Sequence, residues 1–247
     1  MARLGRKTGP KPGFTRDDVI AAALEIGVDS FTMAQVAARL GVRPSALYRT
    51  VASRDDVVAA CLERIGAGIR LPRGGQPWED YLRGVVEAMW KALEEHPGLD
   101  RTLMSLPWTN LHLLRTAQCA HGELVAAGMD PREAYFALDV VIDTTVATHQ
   151  AVAALRAPAQ EGLGAGGRDG RGQPRPVDGG RAVDGREQLR GFDVLAHHWE
   201  RMSRAQGPGG GTIPLAPEES WLDRGFLDLK IDLLIDGLRA RQDRRRS

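Results

Sequence analysis

The chain has 247 residues, 43% of them hydrophobic and 26% charged, enough for one large domain or for a small domain joined to a larger one. Its 33 Lys and Arg nearly balance 32 Asp and Glu, so the formal charge of +1 excludes a protein that is basic throughout. Only a local patch is left to attract a polyanion. No apolar run approaches the roughly 20 residues that a membrane helix needs, so no membrane partner is expected.

Residues Met1 to Lys7 carry positive charge with no apolar stretch behind it, which predicts no signal peptide and a cytoplasmic location. The two cysteines, Cys61 and Cys119, lie far apart inside helical patterns and read as reduced core residues.

Taken in chain order, residues 1–14 place Arg3, Arg6, Lys7 and Lys11 among glycines and prolines with no acid, the composition of a flexible basic arm. From Thr15 onward, Val19, Ile20, Ala23, Leu24 and Ile26 recur at helical spacing and predict a first amphipathic helix. A second is expected over 32–40, a short third over 44–50 and a fourth over 53–69. Three of these starts carry a hydroxyl followed three residues later by an acid or amide: Thr15/Asp18, Thr32/Gln35 and Ser53/Asp56. Such pairs satisfy the unpaired N–H groups of a helix start.

A Pro/Gly-rich turn, LPRGGQPW (71–78), separates these from further helices at about 78–95, 98–105, 110–127 and 131–156. Residues 157–185 hold almost no large apolar side chain and are expected to form a disordered loop. Helical pattern resumes at about 187–204 and again from Pro217 to Arg241, before a basic tail over 242–247. The last helix carries Leu222, Phe226, Leu229, Leu233, Ile235 and Leu238, more apolar surface than a solvent-facing terminal helix should show. No strand pattern and no internal repeat stand out, so the fold class is all-α.

The stretch FTMAQVAARLGVRPSALYRTV (31–51) has the pattern of a helix-turn-helix. Ala37 supplies the small residue at the helix crossing, Gly41 a left-handed stop, Val42 the turn plug and Pro44 the first residue of the next helix. Val36, Leu40, Leu47 and Val51 complete a miniature core. The outward face, Arg43, Pro44, Ser45, Ala46, Tyr48, Arg49 and Thr50, suits a major groove. Arginine reads guanine or grips phosphate, hydroxyls serve either, and a small Ala46 admits a thymine methyl. Thr32, Gln35 and Arg54 sit at helix N-termini within reach of phosphates. The arm, with Arg6 and Lys7, has two readings, a disordered tail with no role or a contact in an adjacent minor groove, and the second is favoured. Residues 1–54 hold nine Lys/Arg against four Asp/Glu, a surplus in keeping with DNA as partner.

Residues 14–65 resemble the DNA-binding domain of the tetracycline-repressor (TetR) family of bacterial transcription regulators, with Thr32, Val36, Ala37, Leu40, Gly41, Val42, Leu47, Tyr48, Val51, Ser53 and Arg54 in the family's pattern. The resemblance implies an N-terminal three-helix DNA-binding domain (15–52), a connecting helix (53–70) and a larger helical ligand-binding and dimerisation domain (71–241). It also implies a homodimer through about 131–156 and 218–241, and reading helices about 34–36 Å apart on a palindromic operator. A small-molecule effector would swing the fourth helix and release the DNA. Three departures argue for a different operator and a different ligand. Arg43 replaces a small polar residue, and Arg49 and Thr50 replace a tryptophan and a histidine. Arg70, Leu103 and Val85 fall where the tetracycline–magnesium contacts would be.

No phosphate-binding glycine loop, metalloprotease helix, CxxC or nucleophile elbow is present, so no cofactor and no enzymatic activity are expected. Asp139, Asp143 and His149 share one long helix. They could join His112 or His121 around a metal, but no compact ligand spacing supports one. The ligand wall is expected from Met89, Trp90, Leu103, Met104 and Trp108, with Leu113, Ala117, Leu138 and Ile142 completing it and His112 and Asp139 as polar anchors. The expected function is a ligand-responsive repressor of bacterial transcription. Two alternatives stay open: a helical enzyme retaining a helix-turn-helix, and an architectural DNA-binding protein without a ligand.

Overall fold

The computed structural model describes residues 13–105, 112–159, 189–205 and 216–246. Most of the basic arm, with Arg6 and Lys7, lies outside the described residues, as do Trp108 and residues 160–185 of the expected loop. Among the described residues there are ten α-helices and no sheet. They fall into two compact units, one running to Val146 and taken up again from Leu234, the other comprising Ala147–Leu233.

The first unit begins with α1 (Arg16–Ile26), α2 (Met33–Arg39), α3 (Pro44–Leu47) and α4 (Arg54–Gly68). Capping fixes their starts. Thr15 accepts from the Asp18 N–H while Asp18 accepts from the Thr15 N–H, and Thr32 and Gln35 do the same for α2. Ser53 accepts from the Asp56 N–H, but the Asp56 carboxylate turns instead to the Ala52 N–H at 2.9 Å and to Arg16 at 2.5 Å. The acid three residues into α4 therefore braces the preceding loop and α1 rather than its own cap.

Val19, Phe31, Val36, Ala37, Leu47 and Leu62 are almost fully buried in the core of this unit. Each large aliphatic side chain there contributes roughly 1.5–3 kcal/mol on burial. Phe14, assigned to the flexible arm on composition, is buried in the same core. It occupies the position before the Thr15 cap, from which an apolar residue staples a helix start. Cys61 is also buried, and desolvation pushes its thiol up to about 12.

Five further helices build the rest of this unit: α5 (Trp78–Glu95), α6 (Leu99–Ser105), α7 (Leu114–Ala126), the first part of α8 (Pro131–Arg156) and the end of the last helix, α10 (Leu227–Arg246). Residues 242–246 are helical, not a loose tail. Arg241 and Arg245 each reach the Glu133 carboxylate at 3.2 Å, and the Glu133 side chain is only 2% exposed. Those ion pairs hold the C-terminal turns in place.

The second unit contains the end of α8, α9 (Gly191–Ala205), a 3-10 turn at Glu219–Leu222 and the start of α10. Arg156 donates to the carbonyls of Leu222 and Asp223, both at 2.6 Å, and Arg190 joins Asp193 to Glu219. The expected continuous helix over 217–241 is broken. Gly225 has φ +57°, a left-handed residue that ends the 3-10 segment and lets α10 restart at Leu227. Within α10, Leu227, Ile231, Ile235 and Leu238 face inward at helical spacing, while Leu229 and Leu233 are 61% and 74% exposed.

Candidate nucleic-acid interface and internal cavity

The turn between α2 and α3 is set by Gly41 at φ +69°. The Val42 N–H bonds the Ala37 carbonyl at 2.9 Å and the Gly41 N–H bonds that of Ala38 at 3.1 Å, the paired closure of a Schellman motif. Ala37 is fully buried at the crossing. Arg43 caps α3 through its backbone only, and Pro44 opens the helix. The helix is one turn long. After Leu47 the backbone tightens, with Arg49 N bonded to Ala46 O and Thr50 N to Leu47 O, so Tyr48, Arg49 and Thr50 lie on a tight turn and not on the expected helix.

Arg43, Pro44, Ser45, Tyr48 and Arg49 are exposed together. The surrounding arginines are neutralised: Arg16 by Asp56, Arg39 by Glu25 and Arg64 by Asp17. The side chains of Arg43 and Arg49 have no ion pair or hydrogen bond among the described residues. Positive charge is therefore concentrated on the one face that a groove would meet. Ala46 is half-buried against the core.

Two assignments change in geometry. Thr50 is half-buried, and its hydroxyl oxygen is buried without a hydrogen-bond partner among the described residues, so it does not share the outward face. Arg54 is turned inward. Its guanidinium donates to the Phe31 carbonyl at 3.1 Å and the Asp29 carbonyl at 2.8 Å, and lies 4.7 Å from the centre of the Phe31 ring. It closes the loop between α1 and α2 onto α4. Thr32 and Gln35 are exposed, with their polar atoms engaged in the shared cap.

The first unit also carries an open cavity of about 620 Å³, within the size range of small-molecule sites, with Met104, Leu114 and Tyr135 exposed at its wall. Of the residues expected from the sequence, Met89, Leu103, Met104, Leu113, Ala117, Leu138, Asp139 and Ile142 line it. Trp90 does not: it is buried on α5 one position beyond Met89, and so points about 100° away around the helix. His112 is drawn to Glu63 of α4, its Nδ1 3.2 Å from Oε1, and does not line the cavity either.

Several lining residues are absent from the expected ligand wall, although the resemblance places Val85 among the pocket contacts and the sequence offers Asp143 and His121 as candidate metal ligands. Ile69 and Leu71 follow α4, Val85 lies on α5, and Leu114, Thr116, Gln118, Ala120 and His121 come from α7. Tyr135, Asp143 and Val146 come from α8. Tyr135, Asp139, Ile142, Asp143 and Val146 follow helical spacing, which is the signal that would have extended the wall along α8. His121 lies with its Nε2 2.9 Å from the Pro131 carbonyl, which makes that nitrogen the donor. Burial and the neighbouring Asp139 charge push the Asp143 carboxyl above its ordinary range.

A chain of contacts links the cavity wall to the helix-turn-helix. Leu103 and Met104 of α6 line the cavity, and Arg101 of the same helix donates to Asp29 at 2.6 Å, in the loop that Arg54 grips from α4. Among the described residues, no group of three or more His, Cys, Asp or Glu could hold a metal ion, and no helix is long and apolar enough to cross a membrane.

Fold and site together define a helix-turn-helix protein whose helical body carries an open, ligand-sized cavity. No family model matches the chain. It is 27% identical over 128 residues to an HTH-type transcriptional regulator of Saccharopolyspora erythraea, covering 50% of this chain and 54% of that protein. It is 30% identical over 105 residues to the HTH-type transcriptional repressor DrrR1 of Streptomyces coeruleorubidus, covering 40% of this chain and 39% of that one. The chain thus spans about half the length, or less, of these curated relatives. In three dimensions it matches the TetR family protein ActR of Streptomyces coelicolor, solved in complex with actinorhodin, with a TM-score of 0.61 at 19% identity over 92% of this chain and 96% of ActR. The chain has the all-α fold of the TetR family.

Proposed function

We propose that the chain is a transcriptional repressor that binds a palindromic operator as a homodimer and is released by a small molecule held in the cavity of each subunit. The observation that carries this reading is the pairing of an uncompensated Arg43/Arg49 face on a helix-turn-helix with a 620 Å³ cavity, the two joined through α6. The regulator and repressor relatives agree with it, and ActR holds actinorhodin on the same fold. Arg49 and Arg43 meet base edges or phosphates at the start of the major groove, and Tyr48 gives its hydroxyl to a phosphate.

The second subunit packs on the exposed Leu229 and Leu233 of α10. A ligand filling the cavity displaces Leu103 and Met104, and α6 carries that movement through Arg101 to Asp29 beside the reading head. The two half-sites then fall out of register, and DNA affinity drops by as much as the ligand prefers the displaced state.

Selection of bound fragments from random duplex DNA at near-physiological salt tests the reading. A recurrent two-fold motif is the expected result. Binding that only fades with salt and returns no motif would reduce the interaction to phosphate attraction and refute it.

A further inference from the structure

The cavity's charge is one-sided. Among the described residues that line it, Asp139 and Asp143 are the only Asp or Glu, and none is Lys or Arg. The two carboxylates sit one turn apart on the same face of α8, where side chains four residues apart are neighbours. Neither has a hydrogen bond or ion pair with any described residue. Most of the remaining wall is hydrocarbon and thioether, including Leu103, Met104, Leu138 and Ile142. His121, the nearest approach to a base in the wall, is engaged with the Pro131 carbonyl.

From this placement we infer that the effector is a lipophilic cation: a largely apolar body of drug-like size that carries a protonated amine to the Asp139/Asp143 pair. The inference rests on the reading of the cavity as an effector site and adds the ligand's chemical class. Asp139 and Asp143 are both exposed in the unliganded chain, and a molecule seated against them displaces part of their water. A neutral body would leave two like charges desolvated and unpaired, and an anion would add a third. An ammonium group relieves the repulsion between the carboxylates and replaces their lost water, while the apolar wall takes up the ligand's body. The raised Asp143 carboxyl fits a pair that lacks a counter-charge of its own.

The test uses the full chain and three probes sharing one fluorescent body: 9-(aminomethyl)anthracene, 9-anthracenemethanol and 9-anthracenecarboxylate. The expected ranking is ammonium over alcohol by at least about tenfold, with the carboxylate weakest. In the double variant Asp139→Asn/Asp143→Asn the ranking should collapse while the alcohol's affinity stays within about twofold. Circular dichroism melting of that variant confirms that it folds. Equal affinity for the three probes, binding of none, or a ranking that survives the double variant would overturn the inference. So would a melting shift by zinc ion alone that the double variant removes, since it would give the pair to a metal. Release of the selected DNA is read separately by band shift. A charge ranking with no effect on DNA would leave the cation site standing and refute the regulator reading instead.

Discussion

Arg54 offers the sharpest discrimination between scaffold and interface. At a helix N-terminus beside the reading head it has the position of a phosphate contact, but its guanidinium is spent on the Phe31 and Asp29 carbonyls and on the Phe31 ring. Two charge-assisted hydrogen bonds at a partly buried site are worth about 1 kcal/mol each after discounting for solvent, and the ring contact adds roughly 0.5 kcal/mol. Arg54→Ala should therefore destabilise the protein by about 2.5 kcal/mol, a fall of roughly 5–10 °C in Tm for a chain of this size. DNA affinity should fall too, because the loop that orients α2 and α3 loosens. The dependence of log affinity on log salt should keep its slope, since no phosphate contact is lost. Arg49→Ala should do the reverse: stability within about 0.5 kcal/mol of the parent, and selection relaxed at one base position, worth about 1–3 kcal/mol. Thermal melts and salt titrations on the selected operator separate the two. An Arg54→Ala protein with unchanged Tm and a salt slope shallower by about one would place Arg54 on a phosphate and refute the assignment.

In the proposed dimer, Leu233→Glu removes one leucine from each subunit's face. At about 1.5–3 kcal/mol each, it should weaken self-association by at least about a hundredfold in sedimentation equilibrium; an unchanged dimer would exclude this face of α10. Arg241→Ala/Arg245→Ala strands the buried Glu133 carboxylate and should cost about 3 kcal/mol in urea unfolding. Adding Glu133→Gln should recover most of that loss, and failure to recover it would mean the arginines act by packing alone. Asp56 is held below the usual carboxylate range, chiefly by the Ala52 N–H, with Arg16 adding to it. Its folded-state value is the depressed one, so it contributes stability at neutral pH that is lost as pH falls through about 4 and below. Asp56→Asn should flatten the stability profile in that window; an unchanged acid limb would assign the transition to other carboxylates.

The N-terminal helices were legible because their information is local. Caps at Thr15 and Thr32, the small Ala37, the left-handed Gly41 and the helical spacing of Val19, Ile20 and Ala23 all lie within a few residues of what they determine. Positional likeness also misled. Arg54 stands where phosphate contacts stand, and its real partners are carbonyls 23 and 25 residues earlier, which no local pattern reveals. The apolar stripe through 217–241 hid Gly225, because one glycine in an amphipathic run does not announce its φ. The cavity was half legible. Helical spacing on α5, α6 and α8 found its apolar wall, but Trp90 and His112 were included for their chemistry before their direction was known. Ile69, Leu71 and His121 enter the wall from the ends and faces of other elements. Their membership depends on how five helices come together, which is tertiary information.

Cys61 and Cys119 differ in a way that gives the chain a reporter of its own. Cys61 is fully buried with its thiol pushed up to about 12, and is inert to alkylating reagents while the protein is folded. Cys119 is exposed on α7, between Gln118 and Ala120, which both line the cavity. A maleimide dye therefore has a single address per subunit in the unmodified sequence, one residue from the ligand wall. On the proposed reading, its emission would register occupancy of the cavity, and energy transfer between two labelled copies would follow the spacing of the proposed subunits without any engineered cysteine.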